Sequence, residues 1–117
     1  MSEVALYGIA NCDTVRKARR ALDAAGVVYR FVDFRKDGLD EARLRRWVDV
    51  LGWETLVNRR GTTWRQLPED TRATIDQERA IALMLEHPAL IKRPVAERAD
   101  VVYVGWNAAT ATELGAG

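Results

Sequence analysis

Apolar and polar positions change rhythm several times along the chain, and each change marks an element. Val4 to Ile9 (VALYGI) is a continuous apolar run without helical period, the pattern of a strand covered on both faces inside an α/β sheet. From Thr14 to Ala25 the apolar positions Val15, Ala18, Leu22 and Ala25 recur every three or four residues, while Arg16, Lys17, Arg19, Arg20 and Asp23 point elsewhere. That spacing predicts an amphipathic helix ending near Gly26. Val27 to Phe34 (VVYRFVDF) is rich in β-branched and aromatic residues and partly alternates, as a second strand does. Strand, helix and strand make a βαβ unit with parallel strands and a right-handed crossover.

Further on, Asp37-Gly38 is turn chemistry, Asp40 is placed to cap a helix, and Leu44, Trp47, Val48 and Leu51 keep helical spacing to about Leu51. The polar stretch WETLVNRRGTTWRQLPEDTRAT, broken by Gly61 and Pro68, predicts a loop with one or two short helical turns. Ala80, Ile81, Met84 and Leu85 form the stripe of another helix, closed at His87-Pro88. Pro94 precedes a short extended piece, and Val101 to Trp106 (VVYVGW) reads as a buried strand. Only ERAD separates the two, so they are predicted to pair as an antiparallel hairpin. Asn107 caps a last helix, AATATEL, that stops at Gly115. The order is β-α-β, a helical stretch, then β-β-α: one α/β domain over residues 1–117, with a mixed sheet and a helical insertion at about 39–86.

Composition narrows the function classes. A chain of 117 residues can bury a sufficient core without disulfides or metal, and only the closing TELGAG is expected to lack order. Eighteen Lys and Arg against seventeen Asp and Glu leave a net charge of +1, so no global field draws nucleic acid or an anionic membrane. No stretch is apolar enough to span a bilayer, and MSEVALYGIA lacks the charged and apolar regions of a signal peptide, so a cytoplasmic, monomeric protein is expected. One cysteine excludes an internal disulfide and a zinc site built of several thiolates; neither a metal nor a bound cofactor is expected.

That cysteine, Cys12, sits between the first strand and the first helix, in a polar turn after Asn11 and before Asp13-Thr14. The unpaired N–H groups and dipole of a helix N-terminus favour a thiolate over a thiol. Arg16 and Lys17, one turn on, are expected to add to this; Asp13 opposes it unless its carboxylate is taken up as a cap. Free cysteine is often simply buried, but this position is not on an apolar stripe, which tips the reading towards reactivity. Lowering a thiol pKa gains little in attack, because nucleophilicity falls with basicity; the larger gain is a better leaving group, which suits thiol exchange. The second position of a Cys-x-x-Cys pair is Val15 here, so an external thiol must finish any reaction, and glutathione is the abundant candidate co-substrate. A β-α-β and β-β-α order with a cysteine at the first strand-helix junction is the thioredoxin-like arrangement.

GIANCDTVRKA, LVNRRGTTWRQL and LMLEHPALIKRPV together resemble the ArsC/Spx family of thioredoxin-fold proteins, and most closely its YffB-type branch, over essentially the whole chain. The resemblance implies a thioredoxin-like core with a helical insertion and, in the reductase members, a catalytic cysteine at Cys12. It also implies anion-binding arginines: Arg93, before a cis-proline at Pro94, and one of Arg59 or Arg60, with Asn11 beside the thiol as a further contact. A planar guanidinium there makes chemical sense, since it binds a thiolate or oxyanion with two parallel bonds. Members that reduce arsenate resemble one another in a further arginine after the last strand, where this chain reads VGWNAAT and has none beyond Arg98. The expected function is therefore a glutathione-dependent thiol oxidoreductase, arsenate reductase-like but acting on some other oxidised substrate. The alternative is a Spx-like regulator that binds RNA polymerase or another protein.

Other candidates have plainer explanations. RLRRW (Arg43 to Trp47) fits a helix with Trp47 inward and arginines in solvent. His87, beside a proline at a helix end, more often answers terminal carbonyls than acts as a base. Trp53, Trp64 and Trp106 suit core or rim packing.

Overall fold

The computed structural model describes residues 3–117; Met1 and Ser2, which open the stretch read as lacking a signal peptide, lie outside them. Contacts gather into two units, one running to Gly38 and resuming over Arg93–Gly117, the other Leu39–Lys92. In chain order the elements are β1 (Val4–Gly8), α1 (Asp13–Ala24), β2 (Tyr29–Asp33), α2 (Glu41–Leu51), α3 (Trp53–Leu56), α4 (Thr62–Gln66), α5 (Glu69–Ala73) and α6 (Gln77–Glu86). A 3-10 turn follows at Pro88–Leu90, then β3 (Val95–Arg98), β4 (Val101–Val104) and α7 (Ala108–Glu113). Among the described residues no helix is long and apolar enough to cross a membrane.

The first unit is a four-stranded mixed sheet in the order β2-β1-β3-β4. β1 and β2 are parallel, from Val4 opposite Tyr29 to Gly8 opposite Asp33, and α1 is the crossover that parallel pairing requires. β3 runs antiparallel to β1, and β4 antiparallel to β3 through the short hairpin. β1 is buried at every residue, as a central strand must be, and its uninterrupted apolar run follows from that. Val4 and Leu6 meet Ala18 and Leu22 of α1, Ala96 of β3 and Leu114 in one core cluster. This order and pairing make the unit a thioredoxin-like α/β fold.

Two expectations at the ends of elements are corrected. β2 begins at Tyr29 and not at Val27, because Val27 closes α1: its N–H donates to the Leu22 carbonyl (3.0 Å) and Gly26 takes a positive φ of 71°. The TELGAG tail is folded. Leu114 is buried and Ala116 packs on the core, while the Ala116 N–H donates to the Ala111 carbonyl (2.7 Å) around Gly115 at φ 91°. Two apolar residues flanking a left-handed glycine convert a small-residue tail into a helix closure.

In the second unit Asp40 caps α2, its Oδ1 accepting from the Ala42 N–H (3.3 Å), and Leu44, Trp47 and Val48 are buried as the stripe predicts. Asp76 caps α6 through the Arg79 N–H (2.9 Å), with Ala80, Ile81 and Met84 buried. Arg45 ties the two helices by pairing with Glu41 (2.9 Å) and Glu78 (3.0 Å). The intervening segment holds three short helices, α3 to α5, where one or two turns were expected. Pieces of four or five residues are too short to display a helical period. Past α6 the unit continues through a single antiparallel bridge of Val57 to Ile91 and reaches Lys92, whose N–H donates to the Leu56 carbonyl (2.8 Å).

Candidate active site

Cys12 is the N-cap of α1, in extended conformation (φ −85°, ψ 130°), half-buried just beyond the end of β1. As a thiol it closes no cap hydrogen bond. Partial burial pushes its pKa up, but the Val15 N–H, a hydrogen bond from the Arg93 guanidinium and the Thr14 N–H outweigh burial, and the thiol lies below its ordinary value. The sequence thus sets the sulfur at a helix N-terminus, and the sheet adds a guanidinium from β3's approach. Arg93 and the buried Pro94 enter β3 through a cis peptide bond, and the Pro94 carbonyl accepts from the Gly105 N–H (2.8 Å).

Arg93 is the guanidinium that the resemblance implies for a thiolate or oxyanion, and the correction concerns Arg16 and Lys17. Arg16 and Lys17 were expected to favour the thiolate, yet Arg93 is the side chain that does so. Arg16 instead donates from Nη2 to the Asn11 carbonyl (2.7 Å) and pairs through Nη1 with Asp13 (2.9 Å). At i and i+3 on one helix turn, Asp13 and Arg16 are nearest neighbours, so each satisfies the other and Asp13 is not a cap. Asn11 is exposed beside Cys12.

The turn itself is held at further points. The Cys12 N–H donates to the Ile9 carbonyl (3.0 Å), and the Ala10 N–H donates to Oδ2 of Asp33 (3.1 Å). Asp33 escaped the sequence reading, which placed it inside a strand; the signal was an aspartate at a strand end, followed by the turn residues Lys36, Asp37 and Gly38. A cleft of about 640 Å³ in this unit lies at the other end of β1 against Val4, Val27 and Leu114 and contains no thiol.

Arg59 and Arg60 belong to the second unit. The Arg59 guanidinium lies over the rings of Trp53 (5.5 Å) and Trp64 (5.6 Å), which fixes a flexible side chain by cation–π contact. This gives Trp53 and Trp64 a definite task. The Arg60 N–H donates to Oδ1 of Asn58 (3.1 Å), and the Arg60 carbonyl accepts from Arg65 (2.8 Å). Both arginines are exposed and, with Lys92, Asn58 and the carboxylate of Glu54, border a cleft of about 480 Å³ in which three cations face one acidic group.

Comparison with known proteins agrees with this architecture. The model of the ArsC family matches residues 7–114, a span that contains Cys12, Asp33, Arg93 and Pro94. The chain is similar to a protein described as YFFB (PA3664), with a TM-score of 0.91 and 44% identity over 96% of this chain and 98% of that one. An arsenate reductase (ArsC) related protein from Brucella melitensis gives a TM-score of 0.79 and 46% identity over 95% and 92% of the two chains. An uncharacterized protein of Haemophilus influenzae is 39% identical over 104 residues, 89% of this chain and 91% of its own length.

Proposed function

The chain belongs to the ArsC family, and from that premise we propose that it is a glutathione-dependent thiol oxidoreductase with Cys12 as its single nucleophile. The observation that carries this reading is the pairing of one half-buried thiol with the Arg93 guanidinium at a helix N-terminus, in a chain with no second cysteine.

For a substrate held as a mixed disulfide with glutathione, the Cys12 thiolate attacks the glutathione sulfur. A new S–S bond forms to Cys12, the substrate sulfur leaves as a thiolate and takes a proton from water. A second glutathione thiolate then attacks the glutathione sulfur of the Cys12 adduct, releasing oxidised glutathione and regenerating the Cys12 thiolate. The incoming glutathione sulfur is oxidised to the disulfide level as the substrate sulfur is reduced to its thiol, and the transferred glutathionyl sulfur stays at the disulfide level throughout. The Val15 and Thr14 amides and Arg93 act twice, stabilising Cys12 as nucleophile and again as leaving group. Glutathione supplies what a partner cysteine would, and the reading places the activity in the cytoplasm, where that thiol is abundant.

Arsenate is a poor fit to this reading. An oxyanion with nearly two charges calls for several fixed cations, and the segment after β4 carries no arginine. The test is turnover of a glutathione mixed disulfide by the purified chain, with oxidised glutathione as the product measured. Activity that disappears in Cys12→Ser, with a glutathione adduct on Cys12 seen by mass spectrometry, supports the reading; turnover that survives the substitution rejects it.

A further inference from the structure

The chain between β1 and α1 has four residues, Ile9 to Cys12, and no regular structure of its own. Four hydrogen bonds pin its main chain: the Cys12 N–H on the Ile9 carbonyl, the Asn11 carbonyl by the Arg16 guanidinium, the Cys12 carbonyl by the Arg16 N–H, and the Ala10 N–H on Asp33. The first three anchors lie within the turn and the helix that follows. Asp33 reaches the main chain of this turn from another strand, across a sequence separation of 23 residues.

Asp33 is built to be a fixed point. Parallel register sets it opposite Gly8, and the Phe34 N–H donates to the Gly8 carbonyl (3.0 Å). While its Oδ2 accepts from Ala10, its Oδ1 accepts from the Arg35 N–H (3.0 Å) and the Lys36 N–H (3.1 Å). Its own N–H donates to Oδ2 of Asp37 (3.2 Å), and the Asp37 N–H returns to its carbonyl (2.7 Å). A carboxylate that accepts three main-chain N–H groups from two directions cannot swing. Burial raises its pKa, but the amides of Ala10, Lys36 and Arg35 outweigh burial and keep it ionised at neutral pH.

We propose that Asp33 is the positioning residue of the Cys12 site: its carboxylate ties the turn before Cys12 to the end of β2, and so holds the sulfur against the Thr14 and Val15 amides and Arg93. This rests on Cys12 being the working nucleophile. The Asp33 carboxylate bonds to main-chain amides and not to the sulfur, and the sign of its effect separates positioning from charge. A nearby negative charge disfavours a thiolate, so deleting it for its charge alone would lower the thiol pKa. Deleting an anchor does the reverse, because the sulfur drifts from its donors.

The experiment is the rate of Cys12 alkylation by iodoacetamide against pH in the wild type, Asp33→Asn and Asp33→Ala, with circular dichroism to establish folding. Asparagine keeps the shape but offers a single acceptor oxygen, so it cannot serve Ala10 and the Arg35-Lys36 pair together, and it carries the test where alanine fails to fold. The expected result is a higher thiol pKa in the folded variants. A rise of about half a unit slows alkylation about twofold at a pH below the titration, the more basic thiolate being the better nucleophile. An unchanged or faster rate beside a low wild-type pKa overturns the inference and leaves the reading of Cys12 intact. An ordinary thiol pKa in the wild type overturns both.

Discussion

Cys12 stands at an N-cap, where serine would ordinarily serve better: a hydroxyl accepts from the first-turn amides, whereas the neutral thiol closes no such bond. The site trades capping for a sulfur anion, and a pH prediction follows. The folded thiol pKa is lower than the unfolded one, so the ionised sulfur contributes stability that is complete above about pH 8.5, the unfolded thiol value, and is lost as pH falls through the lower folded value. Cys12→Ser has no such titration. Urea midpoints at about pH 5 and about pH 9 are expected to show the wild type gaining on the serine variant as pH rises; a constant gap contradicts the lowered pKa. At this scale the sequence made Cys12 legible through its polar turn, and Arg93 through family resemblance. It misled at Arg16 and Lys17, because proximity along a helix does not say that Arg16 will bond to Asn11 and Asp13 instead. Asp33 was hidden because its role depends on which strand lies next to β1.

The junction of β1 with α1 sets where the sulfur lies. Gly8, the last residue of β1, has no room for a side chain: a Cβ there would stand 2.7 Å from Cγ2 of Val15, which is fully buried and β-branched and cannot rotate away. Gly8→Ala is expected to cost about 1–3 kcal/mol in urea unfolding and to raise the Cys12 pKa, since Val15 also supplies an amide to the sulfur. A variant as stable as the wild type would show that α1 shifts freely against β1. Strands, long helices and the caps Asp40 and Asn107 were legible because each repeats a local signal over several residues or uses a side chain for its own neighbouring amides. The expected burial of Val101 to Trp106 was not met, since β4 ends at Val104 on the sheet edge with Val101 exposed. The short helices α3 to α5 were not, since pieces of four or five residues carry no period and depend on tertiary contact. The closing turn after α7 was misread because composition alone does not show that Leu114 belongs to the core.

At the scale of the molecule, the first unit assembles Cys12, Arg93 and Pro94 from segments some eighty residues apart in sequence, and the second carries Arg59 and Arg60 in its own cationic cleft. The fold class was legible because the βαβ and ββα halves leave few pairings open once a parallel crossover is required. Everything proposed about function depends on Cys12 being an activated and accessible thiol. The rate of its alkylation by iodoacetamide as a function of pH, in the wild type and in Arg93→Ala, tests that most directly. The expected result is a titration below the ordinary thiol value of about 8.5 in the wild type that moves upward when the guanidinium is removed. A wild-type titration at or above that value, or a thiol that reacts only after unfolding, would contradict it.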